Sequence, residues 1–381
     1  MKFTMNSKVF KSITERAAVV CPKKPILPVL TGLIIVADKD NQMVIIKSTN
    51  VESYAEIYTD CVDVSESGKV IVEIGNVKRL YNVVGDMTIE STEKTIKARS
   101  SKKQIEVYTM QEEDLEFPVV EDDNRAFSAD KMDMLETFSK LSCCLSVSER
   151  NPVHSGFNIA NGRIASVDGS RAAIRAVYWN FREGLNITIP GCIVKELTKV
   201  SANKQKEHIN VFADRKWAKF IGVDFTYTVK LLEGNFINVE NVMSNDGLTT
   251  YNFSVNAEDL SSMAKEYSSM LKNTKESMHF CYLNNRLVTE AKSDKCRVFD
   301  VLEIKEEENI PEKLNYAFNP IFIKEVAQIF DEQEITIKGD VRRIGTSPWK
   351  IYGENGYSAI ILPMRWSKED WSDVEEFLAS A

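Results

Sequence analysis

The stretch Val70-Ile-Val-Glu-Ile-Gly-Asn-Val-Lys78-Arg-Leu-Tyr-Asn-Val-Val84 lies, without a gap, over two later stretches that resemble it. Setting Lys78 against Lys195 and Lys324 aligns apolar residues eight positions before (Val70, Ile187, Tyr316), six before (Val72, Ile189, Phe318) and one before (Val77, Val194, Ile323). The match continues two positions after (Leu80, Leu197, Val326) and five after (Val83, Val200, Ile329). The first two positions alternate as on a strand and the others recur at helical spacing. Gly75, Pro190-Gly191 or Asn319-Pro320 stands at the joint, so each copy reads as strand, tight turn and short helix.

A second element repeats in the same order. Phe3-Thr-Met-Asn6, Phe127-Ser-Ala-Asp130 and Phe253-Ser-Val-Asn256 each place an Asn or Asp before a helical run, and each Phe is followed seven residues on by Phe10, Met134 or Leu260. Asn and Asp are good N-caps because a side-chain oxygen accepts an otherwise unpaired N–H of the first turn. One such match means nothing, since Phe-Ser/Thr is common in strands; three in register with the strand-turn-helix copies imply an internal repeat. The spacing, roughly 120 residues, is that of a whole globular module. The fold class is therefore α+β, with three related modules spanning 1–120, 125–245 and 250–365 and an extension over 366–381.

The 381 residues carry a net charge of −8. No apolar run approaches the roughly 20 residues of a membrane span, and the N-terminus enters the first module directly, so a cytoplasmic protein without a membrane contact is expected. Seven cysteines lie without CxxC or metal-ligand spacing; they are expected to be free thiols, the vicinal Cys143-Cys144 packing on a helix. The six predicted helices, 7–20, 76–84, 131–146, 191–204, 257–272 and 320–330, together carry +5. An acidic chain whose positive charge collects on helices can turn a basic helical face to phosphate, although helical lysines also serve solubility alone.

Within the first module, Val9, Ile13, Ala17 and Val20 form the expected apolar stripe of the first helix, and three prolines within Cys21–Pro28 end it. Strands follow from Leu30 to Ala37 and from Met43 to Ser48. Gln111–Pro118 with Glu121–Asn124, and Met243–Leu248, read as linkers. There is no HExxH, GxSxG, Walker loop or GxGxxG, so no enzyme chemistry, cofactor or metal is predicted. Val167-Asp-Gly-Ser-Arg171 reads as a hairpin turn rather than a metal loop, and the acidic run Glu112-Glu113-Asp114 as a solvated linker rather than a nuclease site.

Together with this repeat, Pro25–Leu33, Ser48–Glu52, Asp168–Arg171, Lys230–Phe236 and Leu362–Arg365 resemble, in order along residues 1–365, the bacterial β sliding clamp, the processivity subunit of the replicative DNA polymerase. The resemblance implies a ring-forming architecture in which each clamp module packs two helices on antiparallel sheet, and two chains close head to tail as a homodimer around double-stranded DNA. Contacts with DNA would be independent of base sequence, since diffuse phosphate attraction permits sliding. It carries Lys8, Lys11, Lys23, Lys24, Lys78, Arg79, Lys195, Lys199 and Lys204 over as candidates for the DNA-facing bore.

The resemblance further implies that edge strands close the ring, around Ile105 and Val107 in the first module and around Met270 and Leu271 in the third. It implies a pocket for short peptides of the replicative polymerase, the clamp loader and other clamp-motif proteins. That pocket would be formed by His154, Val167, Gly169, Ser170, Arg171, Ala172, Ile237, Val242, Asn319, Phe322, Ile360, Leu362, Pro363, Met364 and Arg365. Val167 stands where Thr is usual, Ser170 for His, Ala172 for Leu and Ile237 for Pro; the smaller Ala172 is expected to deepen the pocket. The tail from Trp366 extends past the usual end, and is expected either to pack on its own module or to place Phe377-Leu378 in the pocket. Two rival readings are a metal-dependent nuclease using unrecognised carboxylates and a clamp-like protein that does not encircle DNA.

Overall fold

A computed structural model describes residues 1–25, 27–111, 115–121, 123–148, 150–203, 205–244, 250–271, 277–293, 295–366 and 371–380. The helices are α1 (Ser7–Ala17), α2 (Ile74–Leu80), α3 (Lys131–Leu141), α4 (Ile193–Val200), α5 (Val239–Ser244), α6 (Ala257–Met270), α7 (Pro320–Ala327) and α8 (Ser372–Ser380). Both repeated elements are present. Strands Lys2–Asn6, Arg125–Asp130 and Thr250–Asn256 run directly into α1, α3 and α6, and strands Gly68–Glu73, Asn186–Pro190 and Leu314–Phe318 lead into α2, α4 and α7.

The caps act as the sequence demands. Asn6 accepts from Lys8 N at 3.0 Å, Asp130 from Met132 N at 2.9 Å and Asp133 N at 3.1 Å, and Asn256 from Glu258 N at 2.8 Å and Asp259 N at 3.2 Å. Each such cap stabilises its helix by about 1 kcal/mol. The aligned apolar positions form the core: Phe3, Phe127 and Phe253 are buried, as are Phe10, Met134 and Leu260. Of the strand-turn-helix set, only Ile187 and Val194 are half-buried; the others, among them Leu80, Leu197 and Val326, are closed off from solvent.

The chain divides into two compact units, Met1–Glu136 with Trp179–Leu185 and Ile189–Leu232, and Thr137–Tyr178 with Asn186–Thr188 and Glu233–Ala381. In the first, a five-stranded sheet has the order Val62–Glu66, Lys2–Asn6, Asp86–Ser91, Thr95–Arg99, Gln104–Tyr108. A nine-stranded sheet runs from Asn180–Phe181 through Arg125–Asp130, His208–Ala213, Trp217–Ile221 and Phe225–Lys230 to Ser53–Thr59, Met43–Thr49, Gly32–Asp38 and Gly68–Glu73. Its middle is the antiparallel pairing of Phe225–Lys230 with Ser53–Thr59, which carries one hydrogen-bonded ladder from the first repeat into the second.

The second unit repeats the plan. Nine strands run from Asn186–Pro190 through Gly156–Ala160, Arg163–Val167, Arg171–Ala176, Tyr357–Ile361, Trp349–Tyr352, Glu334–Asp340 and Thr250–Asn256 to Glu307–Glu308. A four-stranded sheet has the order Arg297–Leu302, Arg286–Lys292, Met278–Leu283, Leu314–Phe318. Trp349, fully buried, donates its indole N–H to the Tyr251 hydroxyl at 2.9 Å and packs against Phe253, Phe280 and Phe318.

Several expected boundaries move, each for a local reason. The first helix stops at Ala17 rather than residue 20, because Pro22 disfavours helical backbone at the residue before it, and Val20 and Cys21 make tight-turn bonds to Ala17 O and Ala18 O instead. Its buried stripe contains Phe10 and Thr14, whereas Val9 is only half-buried. The helices expected to end at 146 and 330 finish in 3-10 turns, Ser142–Cys144 and Gln328–Phe330, and α4 spans 193–200 rather than 191–204. A 3-10 turn over Pro28–Thr31 delays the strand expected from Leu30 until Gly32. Helix α5 enters the stretch read as the second linker, of which 245–249 lie outside the described residues.

The buried register makes a quantitative demand. Leu80→Ala and Leu197→Ala should each cost about 2–5 kcal/mol, whereas Lys78→Ala, on the exposed side of the same helix, should stay within about 0.5 kcal/mol. Chemical denaturation of the three variants measures this; similar midpoints would contradict the assigned faces.

Candidate nucleic-acid face and peptide site

In the first unit the exposed sides of α1, α2 and α4 turn toward one open cleft of about 910 Å³. Lys8, Lys11, Lys23, Lys78, Lys195 and Lys199 line it, together with Arg16, and only Glu15 and Glu73 oppose their charge. The amphipathic pattern explains the convergence: the apolar sides of these helices are in the core, so their lysines face out. Lys24 and Arg79 are exposed but do not line the cleft, and Arg79 donates to Asn76 Oδ1 at 3.2 Å. Lys204 lies outside the described residues.

Sequence reading missed the groups that fix this face from behind. Arg16 is nearly buried; its Nε donates to Val200 O at 2.8 Å, and its two terminal nitrogens meet Asp224 at 2.6 and 2.8 Å. Asn203 donates to Asp224 Oδ1 at 2.7 Å and to Glu207 Oε1 at 2.9 Å. Lys131 Nζ donates to Glu207 Oε1 at 2.9 Å and to Gln205 O at 2.7 Å, and the second Glu207 oxygen accepts Val223 N at 2.6 Å. One buried polar network thus runs from α1, past the C-terminal end of α4, to the start of α3. Beside it, Glu196 accepts from the Tyr227 hydroxyl at 2.7 Å, and burial pushes this carboxyl above its ordinary range.

In the second unit Asp168-Gly-Ser170 is a hairpin turn, as read, with Gly169 at φ +94°. Asp168 accepts from Ser170 N at 2.8 Å, Arg171 N at 2.9 Å and Arg171 Nε at 2.9 Å. Arg171 reaches Glu325 at 2.7 Å and lies 4.3 Å from the Phe322 ring centroid, while Leu362 N donates to Ser170 O at 2.8 Å and Met364 N to Ala317 O at 2.7 Å. The turn, α7 and the segment after Ile361 therefore meet. Val242 and Leu362, both substantially exposed, line an adjoining cleft of about 350 Å³ with Thr250, Pro348 and Arg343.

Other candidates fall elsewhere. Val167, Ala172 and Ile360 are buried in a cluster with Ile174, Val239 and Met243, so the small Ala172 is roofed by α5 rather than forming a deeper open floor. Ile237 lines a separate cleft of about 160 Å³ beside Asn158 and Asn186. Asn319 spends its side-chain oxygen capping α7 at Ile321 N, 2.9 Å. His154 is half-buried with its ring edge-on to Phe236; Pro363 is half-buried and Arg365 exposed.

Ile105 and Val107 stand on Gln104–Tyr108, which is an edge strand as expected, but Met270 and Leu271 do not stand on a strand. They end α6, since Asn256 starts a fourteen-residue helix whose apolar period runs to its end. Among the described residues, the strands that end the four-stranded sheet there are Arg297–Leu302 and Leu314–Phe318. The tail also departs from the sharper expectation: Phe377 and Leu378 pack on the four-stranded sheet and not in the pocket. Among the described residues no three His, Cys, Asp or Glu side chains are grouped to hold a metal ion, and no helix is long and apolar enough to cross a membrane. Glu112, Glu113 and Asp114 lie outside the described residues.

Asp224 makes the cleft's support sensitive to acid. Burial alone would raise its carboxyl, but the bonds from Arg16 and Asn203 outweigh burial and hold it below its ordinary value of 3.8. A depressed folded-state value means stability that is complete above pH 3.8 and lost as the pH falls through the lower folded value. Asp224→Asn should therefore lower the melting temperature at neutral pH, and the gap from the parent should close in strong acid. A gap independent of pH would contradict the assignment.

Residues 1–124 match the family model described as DNA polymerase III beta subunit, N-terminal domain. None of the curated proteins matches the chain in sequence. Among solved structures, the DNA polymerase sliding clamp from Bacillus subtilis superposes with a TM-score of 0.87 at 18% identity, covering 96% of this chain and 100% of that one. The beta subunit from DNA polymerase of Streptococcus pyogenes gives 0.86 at 15% identity with the same coverage. The sliding clamp from Bartonella birtlesii, bound to griselimycin, gives 0.81 at 17% identity, again over 96% and 100%. Residues 1–124 are thus similar in sequence to the DNA polymerase III beta-subunit N-terminal domain, and the chain as a whole has the fold of the bacterial DNA polymerase sliding clamps.

Proposed function

We propose that this protein is a DNA sliding clamp: a head-to-tail homodimeric ring of three modules per chain that encircles duplex DNA and tethers a polymerase. The observation that carries this reading is the convergence of six lysines from α1, α2, α4 and the loop after α1 on one cleft, on helices whose opposite sides are buried. Exposed lysines on stiff helices attract phosphate without reading base edges, which is the contact a sliding ring needs. Topology rather than affinity retains the ring on DNA. The protein acts without chemistry of its own and is placed on DNA by a separate loader.

Partner peptides dock beside Leu362 and Val242, where apolar side chains stand exposed at a cleft next to the Arg171–Glu325 pair. Exposed apolar groups around a concavity supply the anchor that a Leu or Phe side chain needs. Leu362→Asp should weaken binding of a polymerase-derived peptide by at least about 30-fold, the loss of one hot-spot residue. Unchanged affinity in a fluorescence titration would move the site elsewhere.

Retention on DNA tests the ring. The loaded protein should stay on closed circular duplex through gel filtration and be lost when the circle is cut. Replacing Lys8, Lys11, Lys78, Lys195 and Lys199 with Ala should flatten the salt dependence of DNA binding, by roughly 0.9 in slope for each phosphate contact removed. Equal retention on linear and circular DNA would overturn the ring, and an unchanged salt slope would overturn the assigned face.

A further inference from the structure

Cys143 and Cys144 are neighbours in the 3-10 turn Ser142–Cys144 that follows α3, within the second unit. Their sulfurs stand 3.7 Å apart, and Cys143 as a thiol donates to Lys140 O at 3.4 Å. Cys144 is closed off from solvent, whereas Cys143 is only half-buried, so one sulfur of the pair can be reached. Leu145 N closes the turn across both residues by donating to Ser142 O at 3.2 Å.

Nothing in ring closure or phosphate attraction calls for two thiols at this point. Their surroundings belong instead to the peptide site. On one side, Ser166 Oγ donates to Leu141 O at 2.7 Å and ties the turn to strand Arg163–Val167, which runs into the hairpin at Asp168–Arg171. On the other, Ser146 N donates to His154 O at 2.9 Å. The bond from Cys144 and, after it, the Arg171 guanidinium hold the Cys143 thiol below its ordinary value of 9.0, against burial and the carboxylates of Glu325 and Asp168. A partly exposed sulfur with thiolate character is the form that attacks a peroxide.

We propose that Cys143 and Cys144 form an oxidation site that regulates peptide docking: a peroxide joins the two thiols in a disulfide between neighbouring residues, and the distorted turn lowers affinity at the peptide site. The regulation rests on the docking reading; the disulfide itself does not. In the first step Cys143 sulfur attacks one oxygen of hydrogen peroxide, the O–O bond breaks, and the departing hydroxide leaves as water with the Cys143 proton, giving a sulfenic acid. Cys144 sulfur then displaces the sulfenic hydroxyl, which leaves as a second water with the Cys144 proton. Two thiols are oxidised to one disulfide and one peroxide is reduced to two waters. Neighbouring Cα atoms are only about 3.8 Å apart, whereas disulfides usually span roughly 4.4–6.8 Å, so the backbone across 143–144 must turn to admit the bond. The Leu145–Ser142 bond is the one that such a turn breaks, and Leu141 and Ser146 pass the shift to the hairpin and to His154.

Mass spectrometry and peptide binding on the full chain test this together. The exposed Cys61, Cys192 and Cys296 also oxidise, but trypsin cuts after Lys140 and Arg150, and fragment 141–150 holds Cys143 and Cys144 and no other cysteine. After treatment with hydrogen peroxide that fragment should lose the mass of two hydrogen atoms and resist alkylation, and dithiothreitol should reverse both. The oxidised parent should bind the polymerase-derived peptide about tenfold more weakly than the reduced parent, a coupling of ordinary allosteric size, and reduction should restore the affinity. Cys143→Ser should bind the peptide as the reduced parent does and lose the response to peroxide, which separates this pair from the other thiols. A fragment 141–150 that stays as two thiols, or gains oxygen without forming the disulfide, overturns the oxidation site. A disulfide that leaves peptide affinity unchanged overturns the regulation alone, and a reduced parent that binds no peptide defeats the docking reading and the regulation with it.

Discussion

Lys131 and Glu207 have side chains only 4% and 2% exposed, and they are joined at 2.9 Å beneath the basic cleft. Withdrawing both charges from water costs several kcal/mol per ion, which mutual attraction offsets only when every remaining donor and acceptor is used. The surroundings meet that condition, through Asn203, the Gln205 carbonyl and the Val223 amide. Arg16 and Asp224 extend the same network to α1. A hydrophobic filling could give equal stability, but it would not dictate where α1, α3 and the end of α4 stand. The directional bonds do, and the positions of the cleft lysines follow from them.

This network was invisible in the sequence, for a plain reason. Its members are separated by 76 residues for Lys131 and Glu207 and by 208 for Arg16 and Asp224, and no periodicity connects them. Asn6, Asp130 and Asn256 were legible because a cap acts within three residues of itself, and the aligned core positions because burial of one helix face imposes a short period. Where helices end was less legible. Termination at Ala17 or Val200 depends on a few competing turn bonds, each worth little. Of the candidate sites, the described lysines stand exposed, while the surroundings of Ala172, Ile237 and Asn319 come from α5 and from helix capping, which no short period in the sequence encodes.

The repeat itself separates what folding requires from what varies. Leu80, Leu197 and Val326 are all closed off from solvent, yet the residue after each repeated lysine is Arg79, Glu196 or Glu325. Arg79 stays outside, Glu196 turns inward to Tyr227, and Glu325 is taken up by Arg171. The apolar period therefore sets the helix on its sheet in every copy. The flanking charge is free to become a surface cation, a buried acid or one half of an ion pair.

That freedom bears on how the chain is divided. A three-module reading follows the repeat, whereas compactness follows the hydrogen-bonded sheets, and the ladder from Phe225–Lys230 to Ser53–Thr59 joins the first repeat to the second without a break. A continuous antiparallel ladder resists opening far better than side-chain contact alone, because each broken pair leaves backbone groups to be satisfied again. Within the first unit the covalent joint between repeats is therefore stiff. Gln104–Tyr108 and Arg297–Leu302, by contrast, each end a sheet and pair on one side only among the described residues, so no such ladder constrains their outer sides.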